Sequence, residues 1–166
     1  MLLRDLQSLL AGFYALDVAP DVSDYLITDE HFLSRLPTDR KPSPDETLLV
    51  AVGDDALEVA LYLNQDMLGR LVASDPYGDL RASNLNDFCK VLEGVSHFLY
   101  LSWNAAKDKS ITRLELELQA EVDKYVSTRL LLESQDNAGI SRTRLRDILF
   151  GAVHYREDLA DDEAAR

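Results

Sequence analysis

Glu93 and His97 stand four positions apart in a segment of helical periodicity. That spacing sets a carboxylate and an imidazole on one helix face, within reach of a shared metal ion or proton. The pair is the strongest candidate for chemistry in the chain. Asn86 and Lys90 share its polar arc, so it also reads as an ordinary solvent-facing contact worth about 0.3 kcal/mol. A third ligand would have to come from His31, His154 or a distant carboxylate, because no HExxH, ExxH or paired-histidine spacing occurs.

Glu121 lies beside the apolar positions of a later helix, where Lys90, Arg113 or an arginine of the last helix could partner it. Buried there, it would have a raised pKa and join Glu93 and His97 as a site residue; at the stripe's edge it would reach solvent. Arg142, Arg144 and Arg146 open the last helix, where cations oppose the helix dipole. They suit either a small basic patch that binds an acidic partner or pairing with the chain's own surplus carboxylates. Cys89 falls on an apolar arc and reads as an inert core thiol. Gly53-Asp54-Asp55 and Asp75 to Asp79 cluster carboxylates but match no calcium loop, and read as turns. Serine nucleophile elbows, phosphate-binding loops and dinucleotide fingerprints are absent. No catalytic set, metal or cofactor is expected from motifs.

Several elements must position these residues. Leu3, Leu6, Leu10 and Phe13 predict an amphipathic helix over 2–16. Tyr25 to Ile27 is a candidate strand, and Thr28 is a candidate cap for a brief helix burying Phe32, Leu33 and Leu36. Residues 37–46 hold three prolines and read as a connection. Leu48 to Val52 and Leu57 to Leu63 flank Gly53-Asp54-Asp55 as a β-hairpin, with Leu57, Val59, Leu61 and Leu63 inward and Tyr62 on a partly exposed face.

A short helix from Asn64 or Asp66 to Val72 follows, then a long helix from about Ser83 to Trp103. The latter's wide apolar arc, including Leu85, Phe88, Leu92, Val95 and Leu99, predicts packing on two sides. After Lys107-Asp108-Lys109 a further helix opens at Ser110 or Thr112, with Ile111, Leu114, Leu118, Val122, Tyr125 and Arg129 as its inward stripe. The alternation over Leu114 to Leu118 would also suit a strand. Asp136 to Gly139 marks the stop, and Ser141 caps the last helix with Ile140 and Leu145 as a staple. The order predicts an α+β fold: one domain over 1–157 with a frayed acidic tail over 158–166.

Composition narrows the function classes. The chain has 166 residues, 46% hydrophobic and 28% charged, an ordinary globular balance. The formal charge of −13 is spread along the chain, which disfavours direct binding to nucleic acid. A single cysteine excludes a disulfide framework within the chain and fits a cytoplasmic setting. Neither a signal peptide nor a membrane span is read from the sequence. The leading expectation is a non-enzymatic protein-interaction module: an adaptor, chaperone or assembly factor whose partner is another protein or a second copy of itself. The alternatives are a small enzyme, such as a metal-dependent hydrolase using Glu93, His97 and Glu121, and an acidic nucleic-acid mimic.

Overall fold

The N-terminal periodicity forms helix α1, Leu2–Phe13, with Leu6 and Leu10 fully enclosed. In this computed structural model, residues 2–16, 19–35, 42–52, 57–135 and 141–151 are described. α1 stops short of residue 16 because Ala15 adopts a left-handed conformation, φ 49°. The Leu16 and Ala15 amides then return to the carbonyls of Ala11 and Gly12 at 2.9 and 3.4 Å, closing the helix end. A 3-10 turn over Val22–Tyr25 follows, capped by the Asp21 carboxylate, which accepts from the Ser23 amide at 2.9 Å.

The sheet has three strands: β1 (Leu26–Ile27), β2 (Glu46–Val52) and β3 (Leu57–Leu63). β2 and β3 pair antiparallel with Leu48 opposite Leu61, while β1 lies parallel to β3, giving the order β1-β3-β2. The hairpin and the short third strand are present as read from the sequence; the Gly53-Asp54-Asp55 turn lies outside the described residues. The expected inward face of β3 holds at Val59, Leu61 and Leu63 and departs at Leu57 and Tyr62. Tyr62 is fully buried, because Thr28 to Glu30 and Asn64 to Asp66 close over its face, whereas Leu57 is 39% exposed.

Helix α2, Glu30–Ser34, sits between β1 and β2 and is capped by Asp29, one position after the expected Thr28. It buries Leu33 but leaves Phe32 exposed, contrary to expectation. Asn64 caps α3, Gln65–Ala73, by accepting from the Met67 amide at 3.0 Å. The long helix α4 runs Ala82–Ala105 and touches both hairpin strands, α1, α3 and α5 (Arg113–Ser134). Its Phe88, Val91, Leu92, Val95, Phe98 and Leu99 form the middle of the core. Each such side chain, fully enclosed, contributes about 1.5–3 kcal/mol.

α5 starts with a capping box in which Thr112 and Glu115 satisfy each other's amides. Leu114 to Leu118 is therefore helix, and the strand alternative falls. The last described helix, α6 (Arg142–Phe150), begins at the Ser141 cap and buries Leu145 completely. Ile140, the Asp136 to Gly139 stop and the 158–166 tail lie outside the described residues. The architecture is α+β: a helix, a small mixed sheet, then a mainly helical C-terminal half.

The first half of α5 is turned over relative to the sequence reading, while Tyr125, also expected inward, does pack against the core. Leu114, Leu118 and Val122, expected to point inward, are 51%, 57% and 55% exposed. α5 instead buries Ala120, Asp123, Ser127, Thr128, Leu131 and Leu132. The physical reason is close approach: small and hydroxyl-bearing side chains on this face let the α5 backbone lie near α4, and the spacing of packed helices is set by the side chains at the contact.

Candidate functional site

The site is assembled where β2, α4 and α5 meet. Glu93, Gly94 and His97 lie on α4, Glu46 begins β2, and Glu117, Glu121 and Lys124 lie on the N-terminal half of α5. Position 94 must be small here: a Cβ on Gly94 would stand 2.9 Å from both Glu46 Cγ and Leu61 Cδ1. The glycine therefore lets the carboxylate of Glu46 reach the imidazole of His97.

His97 was expected on a solvent-facing arc, but it is buried beneath β2 and α5, with only 9% of its side chain exposed. Its Nδ1 lies 3.6 Å from Glu46 Oε1 and its Nε2 lies 3.9 Å from Glu117 Oε2. Both distances are those of an ion pair and exceed a hydrogen bond. Accordingly, Glu46 Oε1 and His97 Nε2 are buried and make no hydrogen bond among the described residues. Lys124 is similarly enclosed and donates to Glu93 at 3.0 Å and Glu121 at 2.5 Å. Arg113 stands 3.6 Å from Glu117 on the outer side.

The electrostatics follow from this packing. Burial raises the Glu46 carboxyl above the usual range, partly opposed by His97. Burial also pushes the His97 imidazole down, but the surrounding carboxylates of Glu46, Glu93 and Glu117 outweigh it, and the net direction is up. For Lys124, desolvation is likewise outweighed by Glu93 and Glu121, leaving it raised. Among the described residues, Glu93, His97 and Glu117 offer ligand atoms that all lie within 4.8 Å of one another.

Of the residues singled out in the sequence, Glu93 and His97 do come together. Glu121 is joined to them only through Lys124; the carboxylate that faces the imidazole is Glu117. Lys90, considered as a partner for Glu121, pairs with Asp45 at 2.6 Å. Arg144 and Arg146 are exposed on α6, and Arg146 contacts the adjacent Asp147 at 3.3 Å; the side chain of Arg142 lies outside the described residues. Burial raises the Cys89 thiol to about 11, against the opposing pull of Lys124 and Thr128, the signature of an unreactive cysteine. Asp75 accepts from the Tyr77 amide at 3.0 Å and Asp79 from Arg81 Nε at 2.6 Å, so that acidic run is turn chemistry.

Glu46, Glu117 and Lys124 were missed in the sequence. Lys124 had a signal: consecutive helices α4 and α5 pair antiparallel around the 106–112 connection, which sets residues equally far from it opposite each other and brings Lys124 to Glu93, whereas the same rule sets Glu121, one turn beyond Glu117, opposite His97. Glu46 had none.

A second polar cluster lies nearby. Asp123, 1% exposed, accepts from Ser96 Oγ at 2.5 Å, from Gln119 at 3.2 Å and from the Tyr14 hydroxyl. Its lone pairs are satisfied by residues of α4, α5 and the end of α1, so it ties three helices together. Burial and Asp123 both raise the Tyr14 phenol.

Comparison with protein-family models, with curated proteins and with solved structures finds no match for this chain.

Proposed function

We propose that this domain is a protein-interaction module whose docking face is the outer side of α5. The observation that carries this reading is the exposure of Leu114, Leu118 and Val122, each more than half open to solvent at successive four-residue steps. Three large apolar side chains aligned on one helix face form the kind of contiguous patch that marks an interaction surface. Such a row receives the apolar face of a second helix, side chain between side chains.

The occupant we assign is an amphipathic helix with basic flanks. Glu115 and Glu121 border the stripe, and the whole chain carries −13. A second copy would bring like charge against like; net charge far from zero opposes self-association, while a cationic helix is steered onto the same face. No helix among the described residues is long and apolar enough to cross a membrane. The Leu114 row is read as a seam for a protein helix.

The reading is tested by fluorescence anisotropy with a labelled model peptide of alternating Leu and Lys faces, against the full chain and its Leu118→Asp variant. Leu118→Asp adds negative charge, so attraction by charge alone would strengthen binding, whereas docking of an apolar face weakens it by about tenfold or more. Equal or tighter binding by the variant contradicts the proposal. So does a light-scattering mass of twice the chain that Leu118→Asp reduces to one, which assigns the face to a second copy.

A further inference from the structure

The geometry points to a second, separate feature: a divalent transition-metal site formed by Glu93, His97 and Glu117, with Glu46 orienting the histidine from behind. It does not depend on the docking face of α5.

Three observations carry it. First, ligand atoms of one imidazole and two carboxylates from adjacent helices converge within 4.8 Å of one another. Second, the His97 ring has only 9% of its side chain exposed, yet its Nε2 makes no hydrogen bond among the described residues and lies 3.9 Å from Glu117 Oε2. A buried ring nitrogen is almost always partnered. Here Glu93 and Glu117 each bring a carboxylate oxygen within 4.8 Å of a nitrogen of this ring. Third, Glu46 lies on the opposite ring nitrogen, Nδ1, at 3.6 Å. A ligating histidine characteristically gives its other N–H to a carboxylate, which fixes the tautomer and leaves the second nitrogen's lone pair for the ion. Glu46, held in place by the gap at Gly94, has that position.

Charge agrees with the geometry. Glu46, Glu93, Glu117 and Glu121 are opposed by the cations of Lys124 and Arg113. Two carboxylates are left without a permanent counter-charge, the deficit a divalent ion fills. Lys124 contacts one oxygen of Glu93, and a carboxylate can serve a cation on each oxygen. Around zinc, donor atoms stand about 3.4 Å apart, so the group must contract from its present spacing. Glu93 and Glu117 have 27% and 34% of their side chains exposed and can rotate inward, whereas His97 is fixed. An imidazole with two carboxylates favours zinc, manganese or iron over magnesium or calcium, which prefer all-oxygen sets.

The experiment is isothermal titration of Zn2+ into the chelator-treated full chain at neutral pH. One ion per chain is expected, with His97→Asn and Glu117→Gln each weakening binding about 100-fold and Glu46→Gln about 10-fold at unchanged stoichiometry. Mg2+ does not compete. Should His97→Asn fail to fold by circular dichroism, Glu117→Gln, altered at a half-exposed position, carries the test. The site is overturned if the wild-type chain binds Zn2+ more weakly than about 100 μM. It is equally overturned if stoichiometric binding survives Glu117→Gln with unchanged affinity, which puts the ion elsewhere.

Discussion

Gly94 shows how a single hydrogen in place of a methyl group governs the site. Its missing Cβ would stand 2.9 Å from side-chain atoms of Glu46 and Leu61, so any side chain there forces those two to shift. Gly94→Ala gains helix propensity of about 1 kcal/mol but overpacks the junction by about 1–3 kcal/mol. A net loss of about 1 kcal/mol in urea denaturation is expected, together with a shift of the His97 ring resonances as Glu46 withdraws. Cys89 offers a second check at this scale. With its thiol raised to about 11 by burial, it should stay unmodified by a thiol reagent at pH 8 and react fully once the chain is denatured. Local spacing made Glu93 and His97 legible as a pair, since four residues on a helix fix a common face. Their burial was not legible, because it depends on β2 and on a helix placed by the long-range packing of the domain. Glu46 illustrates the limit: it lies 51 positions before His97, and no periodicity connects a strand's first residue to the middle of a helix.

At the scale of elements, the ends of the helices are where stability is most easily altered. Thr112 and Glu115 form the capping box of α5, so Thr112→Ala should cost about 1 kcal/mol. Glu115 is held below the usual carboxyl range by the Thr112 amide and then its hydroxyl. Its folded-state pKa is depressed, so its contribution is complete above the unfolded value and lost as pH falls through the folded one. Glu115→Gln should therefore flatten the acid limb of a thermal-stability profile and leave its shape above pH 6 unchanged. Ala15, at φ 49°, sits where glycine is the usual choice, and Ala15→Gly is expected to raise stability by up to about 1 kcal/mol. Most elements were legible from periodicity and cap chemistry, as at Asn64 and Ser141. The orientation of α5 was not. Apolar content put Leu114, Leu118 and Val122 inside, whereas closeness of approach put Ala120, Ser127 and Thr128 there. A large apolar stripe turned outward breaks the local rule, and such breaks are expected at functional surfaces.

For the whole molecule, the α+β class and the distributed acidic surplus followed from order and composition alone. The pairing of an acidic surface with one apolar helix face became visible only when the packing was known. That division has an energetic consequence. Leu132→Ala, inside the α5 contact, should cost about 2–5 kcal/mol. Leu118→Asp, on its outer side, should change stability by less than about 1 kcal/mol, because it removes no buried contact. If the two cost the same in chemical denaturation, α5 does not face the way described. The most direct measurement is a heteronuclear NMR titration of the 15N-labelled chain with the basic amphipathic peptide. The account predicts chemical-shift changes concentrated on Leu114, Leu118, Val122 and their helical neighbours, saturating together and absent in Leu118→Asp. Changes scattered evenly over the acidic surface, or centred on α6 at Arg144 and Arg146, would contradict it.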